Sequence, residues 1–190
     1  SNHLSEYAAL LIRNHISGRL KVAPEHTSEK VLKIMRKPSF GYYKRFNVLF
    51  NKICQKEKLN QQLVPYFISS HPGCKLEDMA SLALETKDLG IHIEQVQDFT
   101  PTPMTLATVM FYTKLDPYSL KPIYIPSSPA EKQDQLKFFF WYKKENVNYI
   151  KQKLAQIERN DLSAILYGDK PGLRYKAIVT KVKHHVRRHG

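Results

Sequence analysis

The sequence predicts an α/β fold with parallel strands, on three observations. The stretch 63–107 (LVPYFISSHPGCKLEDMASLALETKDLGIHIEQVQDFTPTPMTLA) reads strand, polar turn, helix, strand, polar turn. A strand-helix-strand unit of this length is a right-handed crossover joining parallel strands. The same strand-then-turn order occurs earlier, at 19–23 followed by Pro24-Glu25-His26-Thr27. All three expected strands therefore close on polar turns, the place where parallel α/β folds seat their ligands.

The elements follow in order. Residues 4–15 read as a helix with Leu4, Ala8, Leu11 and Ile12 on one stripe, ended by Gly18. A short strand is expected at 19–23. Thr27 or Ser28 then caps a helix with the stripe Val31, Leu32, Ile34 and Met35. A longer helix at 42–58 turns Tyr43, Phe46, Leu49, Phe50 and Ile53 inward. The apolar run 63–69 is a buried strand broken by Ser70-His71-Pro72-Gly73. Leu76, Met79, Ala80, Ala83 and Leu84 recur at helical spacing up to Gly90, in the position after a helix that favours glycine. Residues 93–99 form the third strand, ended by Pro101 and Pro103. Beyond it, 104–112 is a short helix or a turn. Four prolines punctuate 116–130, a linker between an α/β part (1–115) and a helical extension (131–168). Helices are expected at 131–141, 147–156 and 161–167. Residues 169–190 carry few apolar and many charged residues and read as a basic, disordered tail.

Bulk properties narrow the class. A chain of 190 residues is long enough to bury a core. It has no apolar run of membrane-spanning length. The opening Ser1-Asn2 resembles a tag remnant, and the helix behind it reads as the end of something longer, so the chain is expected to begin partway through a larger protein. Only Cys54 and Cys74 are present, which suits a reducing cytoplasm with free thiols. They lie in no clustered motif and read as ordinary residues, with no metal ligand set. The net charge is +13, and 121–190 holds fifteen of the thirty basic residues against six of the seventeen acids. That end suits either a polyanion or a solubilising surface.

The candidate binding residues sit in the three turns. Glu25 is able to accept hydrogen bonds from ribose hydroxyls, and His26 to donate one or to shuttle a proton. Ser69, Ser70, His71 and Gly73 end the second strand, with glycine allowing close backbone approach. Taken alone, His71-Pro72-Gly73 reads first as a tight turn. Gln97, Phe99 and Thr100 end the third, where the following prolines either wall a pocket or only terminate a strand.

These residues carry a resemblance. LKVAPEHTSEKVLKIMRKP, YFISSHPG, LEDM and QVQDFTPTPMTLAT are similar to the later part of the radical S-adenosylmethionine (SAM) core in the YgiQ-like family, Fe-S oxidoreductase-like proteins. PG after a strand with an acidic pair following, and the F-x-P-x-P-x-T-x-A pattern, also resemble the methylthiotransferase branch. The resemblance covers about 4–115, and less distinctively 120–168. It implies a partial (β/α) barrel, the later half of the core, with a C-terminal helical extension. It implies an enzyme in which a [4Fe-4S] cluster held by a CxxxCxxC loop cleaves SAM reductively to a 5′-deoxyadenosyl radical. This chain has no CxxxCxxC, so the cluster ligands would precede Ser1 in the parent protein. No cofactor is then expected to bind tightly to this chain alone. Carried over, Glu25 would contact ribose, Ser69, Ser70 and Gly73 the methionine or adenine part, and Gln97, Phe99 and Thr100 would flank adenine. The catalytic residues and the substrate are not readable.

Two other classes compete. Tyr124, Phe138, Phe139, Phe140, Trp141 and Tyr142 among lysines suit a nucleic-acid-binding module, although Phe138, Phe139 and Trp141 read better as helix core. A structural or assembly domain without ligand fits the missing cluster motif. The expected partners are the N-terminal part of the same protein and a second copy, met through an open sheet edge or the barrel interior.

Overall fold

The structure, a computed structural model, describes residues 2–168 and the side chains from Glu6 onward. In chain order the elements are α1 (Asn2–His15), β1 (Arg19–Glu25), α2 (Glu29–Met35), α3 (Phe40–Glu57), β2 (Gln62–Ser69), α4 (Leu76–Asp88), β3 (Val96–Asp98), α5 (Leu106–Thr113), α6 (Pro129–Phe139), α7 (Lys144–Gln156) and α8 (Asn160–Tyr167). The fold is α/β. Its internal contacts divide it into two units, residues up to Cys74 with Glu94–Pro126, and Lys75–Ile93 with the residues from Ser127 onward. The expected tail at 169–190 lies outside the described residues.

The first unit is built on a three-stranded sheet of order β1-β2-β3. Both pairings are parallel, as the repeated strand-turn order predicts. Arg19 to Val22 pair with Gln62 to Pro65 in step, and the register then slips, so that Glu25 faces Phe67. Pro65 offers no N–H to a ladder, and the slip comes immediately after it. On the other side Phe67, Ile68 and Ser69 face Val96, Gln97 and Asp98.

Two hydroxyls start the helices of this unit. Ser28 Oγ accepts from Val31 N at 3.5 Å and Ser39 Oγ from Gly41 N at 3.2 Å. Both helices end on a left-handed residue, Arg36 and Lys58. Periodicity then decides what is buried. Ala8 and Ile12 of α1 meet Phe50, Ile53 and Cys54 of α3, with Leu20 and Leu63 packed against them. Phe40 and Phe67, both buried, approach at 6.4 Å between ring centroids. Burying a side chain of this size contributes about 1.5–3 kcal/mol.

The third strand is shorter than the expected 93–99. Ile93 lies outside the ladder: the Tyr142 hydroxyl donates to its carbonyl at 3.0 Å, and its side chain is buried. Only Val96–Asp98 remains as strand.

The second unit packs helices. Phe138, Phe139, Ile150, Leu154, Leu162 and Leu166 are all essentially inaccessible. The expected helix at 131–141 begins earlier, where Ser128 and Glu131 cap each other's backbone N–H and Pro129 takes a first-turn position. Thr86 Oγ1 accepts from the Trp141 indole at 3.1 Å. Lys87 Nζ donates to the carbonyls of Ile165 and Leu166 at 3.0 and 2.7 Å, satisfying two acceptors at the end of α8.

Candidate functional site at the strand ends

Parallel strands end on the same side, so the three turns of the first unit converge. Specific contacts tie them together. At the end of β1 the backbone of Glu25 is left-handed, with φ 65°. Its carboxylate accepts from Lys37 Nζ at 3.2 Å through Oε1, while Oε2 is buried without a hydrogen-bond partner. Two residues on, the hydroxyl of Thr27 is also buried without a partner. An unmade hydrogen bond at a buried acceptor costs about 1–3 kcal/mol. Atoms of this kind are satisfied by a buried water or by a ligand group.

His26, fully buried, accepts from the Ser28 backbone N–H through Nδ1 at 2.9 Å. That bond leaves Nε2 as the protonated nitrogen of the neutral ring, 3.5 Å from Cys74 Sγ. The turn after β1 is thereby fastened to the turn after β2.

The turn after β2 is buried throughout. Ser69 Oγ donates to Asp98 Oδ1 at 2.9 Å, and the Phe99 N–H donates to the Ser69 carbonyl at 2.9 Å, joining the second strand end to the third. Ser70 is left-handed at φ 59° and fully buried. His71 stacks edge-on against Phe99, centroids 5.4 Å apart, and its Nδ1 donates to the Pro72 carbonyl at 2.9 Å. Burial holds its imidazole below the usual histidine range, against the weaker opposite pull of that carbonyl. Gly73 sits at φ +83°, and a Cβ there would lie 2.4 Å from Ile34 Cδ1. Any other residue would strain the left-handed backbone and push the tip of Ile34 aside.

The third end is more open. Phe99 is buried, Gln97 and Thr100 are exposed, and Gln97 Oε1 accepts from the Tyr66 hydroxyl at 3.1 Å. The loop after it turns through Met104, left-handed at φ 66°. The remaining left-handed non-glycine residues among those described end helices or, as Leu120, form a loop turn. Strain of this kind persists where the surroundings over-determine it, and it collects at ligand sites.

The structure thus brings Glu25, His26, Ser69, Ser70, His71, Gly73 and Phe99 to one end of the sheet, with Gln97 and Thr100 at its outer margin. Sequence reasoning left out Thr27, Lys37 and the pairing of Cys74 with His26. Cys74 directly follows Gly73, a position that pointed to it. Nothing local marks Lys37. The aromatic run near 138–142 supplies packing: Phe138 and Phe139 are inaccessible, and Trp141 and Tyr142 spend their polar atoms inside the second unit. Among the described residues no cluster of three or more His, Cys, Asp or Glu is suited to a metal ion, and both cysteines are free and buried. No described helix is long and apolar enough to cross a membrane.

A family model described as "Domain of unknown function (DUF3362)" matches residues 94–171. The chain is 57% identical to a UPF0313 protein of Bacteroides thetaiotaomicron over 86% of its own length and 26% of that relative. It is 55% identical to a UPF0313 protein of Porphyromonas gingivalis, over 85% of the chain and 26% of the relative. A UPF0313 protein of Clostridium perfringens is 47% identical over 80% of the chain and 23% of its own length. The chain spans about a quarter of the length of these relatives, and at these identities it is similar to a stretch of the UPF0313 proteins, with the DUF3362 match confined to residues 94–171.

Proposed function

We propose that this chain is the C-terminal portion of a longer radical SAM iron-sulfur enzyme and that its three strand ends form part of the SAM-binding and substrate-binding wall. In this reading the three parallel strands are the later half of a partial (β/α) barrel, and the helices from 131 to 168 are its extension. One observation carries the proposal. Buried polar side chains and left-handed backbone converge at the carboxyl ends of the strands, with Glu25 Oε2 and Thr27 Oγ1 lacking partners. These two atoms suit ribose hydroxyls, which both donate and accept.

The residues present fit the adenosyl part of SAM. Glu25 would take a ribose hydroxyl on Oε2 while Lys37 holds the carboxylate in place. Phe99 would offer an apolar face beside adenine, with Gln97 and Thr100 at its margin. Ser69, Ser70 and Gly73 would bring backbone groups close to the methionine or adenine part. His26 and His71, both buried, would keep the turns shaped and water out. The described residues do not fit a [4Fe-4S] cluster, since two buried, separate cysteines fall short of the thiolates it requires. The cluster supplies the electron for SAM cleavage, and its ligands would belong to the remainder of the longer protein, the first partner of this chain.

The test is to produce a full-length protein carrying this sequence, reconstitute it anaerobically with iron and sulfide, and assay 5′-deoxyadenosine after adding SAM and dithionite. The reading predicts about four irons per chain and formation of 5′-deoxyadenosine. Iron-loaded protein that leaves SAM intact would refute it.

A further inference from the structure

A cleft in the first unit has no strand-end residue in its lining, although Ile34 on its wall also packs against Gly73, and it is assigned no role above. It encloses about 420 Å3 and is lined by Lys30, Lys33, Ile34 and Arg36 from α2 and its end, Leu106 and Met110 from α5, and the 116–118 turn. Lys30, Lys33 and Arg36 follow one another at three-residue steps, so they share one side of the helix and its cap. Arg36 is fixed at φ 56° by N–H bonds to the carbonyls of Leu32 and Lys33. Its guanidinium lies 3.6 Å from the centroid of the Tyr118 ring. Tyr118 is nevertheless 61% exposed.

The single carboxylate in the cleft, Asp116, lies within electrostatic reach of Arg36 and offsets one of the three cations, while its Oδ1 shapes the neighbouring turn. Asp116 Oδ1 accepts from the N–H groups of Ser119 and Tyr118 at 2.8 and 3.0 Å and from the Ser119 hydroxyl at 3.0 Å. It shapes the turn that presents Tyr118. The cleft is therefore a rim of cations, one of them pre-oriented on an aromatic ring, over the apolar floor of Ile34, Leu106 and Met110. A free phosphate would use only the rim. An alkyl anion would leave the exposed ring unused. A nucleotide uses all of it, with phosphate on the lysines and the planar Arg36 fork and the base on Tyr118 and the floor. The volume falls within the range of single small-ligand sites.

We propose that this cleft binds a nucleotide, either free or as one unit of a single strand. The proposal does not rest on the SAM reading, because no strand-end residue lines the cleft.

The test titrates the full 190-residue chain with AMP, with inorganic phosphate and with a labelled octauridylate, at fixed low salt because phosphate contacts are salt-dependent. The variants are Arg36→Ala, Tyr118→Ala and, as a control for charge alone, Lys21→Glu on β1. Thermal unfolding verifies that each variant is folded. The expected result is that AMP binds at least about tenfold more tightly than phosphate, since stacking one base contributes about 1–3 kcal/mol. Arg36→Ala and Tyr118→Ala should each weaken AMP about tenfold or more, and Lys21→Glu should not. Octauridylate binding that AMP displaces and that both substitutions weaken would identify a strand as the source. Binding of AMP without such displacement would identify a free nucleotide. Absence of AMP binding, equal affinity for AMP and phosphate, or equal weakening by Lys21→Glu would overturn the proposal.

Discussion

Glu25, His71 and Gly73 show how individual residues make the strand-end surface. His-Pro-Gly in the sequence reads as a turn or a ligand loop, and the structure gives each residue a specific load. Gly73 combines φ +83° with a virtual Cβ 2.4 Å from Ile34 and 3.3 Å from Ile123. Gly73→Ala should therefore cost about 1–3 kcal/mol, from left-handed strain and overpacking together, read as a lower urea midpoint with unchanged slope. His71 gives a pH signature. Its folded-state pKa lies below the unfolded value because burial disfavours the imidazolium. The unfolded chain then binds more protons as pH drops below about 6.5. The contribution of His71 is fully present above that pH and is lost as pH falls through the depressed folded value. Urea midpoints should decline between pH 7.5 and 5, and His71→Gln should flatten part of that decline. The positions of these residues were legible because turn residues are local signals. The partners Ile34, Ile123 and Lys37 were not, nor was the approach of Cys74 to His26, since each contact joins different elements of the chain.

At the scale of elements, the periodic helices were read nearly to their ends and the least periodic strand was not. The α3 stripe of Tyr43, Phe50 and Ile53 is buried as its spacing requires. Phe50 is wholly inaccessible, so Phe50→Ala should destabilise by about 3–5 kcal/mol in calorimetry or urea unfolding. The start of α6 is a reciprocal cap between Ser128 and Glu131, and Ser128→Ala should cost about 1 kcal/mol. For β3, the pattern Ile93 to Phe99 obeys strand preference, yet the Tyr142 hydroxyl claims the Ile93 carbonyl. A tyrosine so far along the chain leaves no trace in the local pattern. The slip between Val22 and Glu25 has a local signal, since Pro24 lies inside it without an N–H for the ladder, and a second proline, Pro65, faces Val22 on the neighbouring strand.

For the whole molecule, the sheet order leaves β1 with a partner on one side only among the described residues. In the proposed function that edge meets strands from the remainder of the longer protein. Without them the edge and the inner face invite a second copy. Each Å2 of apolar surface covered contributes about 25 cal/mol, while the +13 charge is screened beyond about 8 Å at physiological salt. Sedimentation equilibrium of this chain at micromolar concentration should show a dimer or larger species, and a clean monomer of 22.1 kDa would count against an open edge. Fold class and the side of the sheet where polar residues gather were legible because strand order and turn chemistry are written locally. The division into two units was not, because α4 follows β2 in sequence yet clusters with the later helices.

In the proposed function the strand ends hold SAM through the unsatisfied oxygen of Glu25. The most direct measurement is the SAM dissociation constant of the reconstituted full-length protein and of its Glu25→Gln variant, with iron content determined on the same samples. Both should hold equal iron, and SAM binding should weaken about tenfold or more in the variant, the loss of one charged hydrogen bond. Equal iron with unchanged SAM affinity would contradict it.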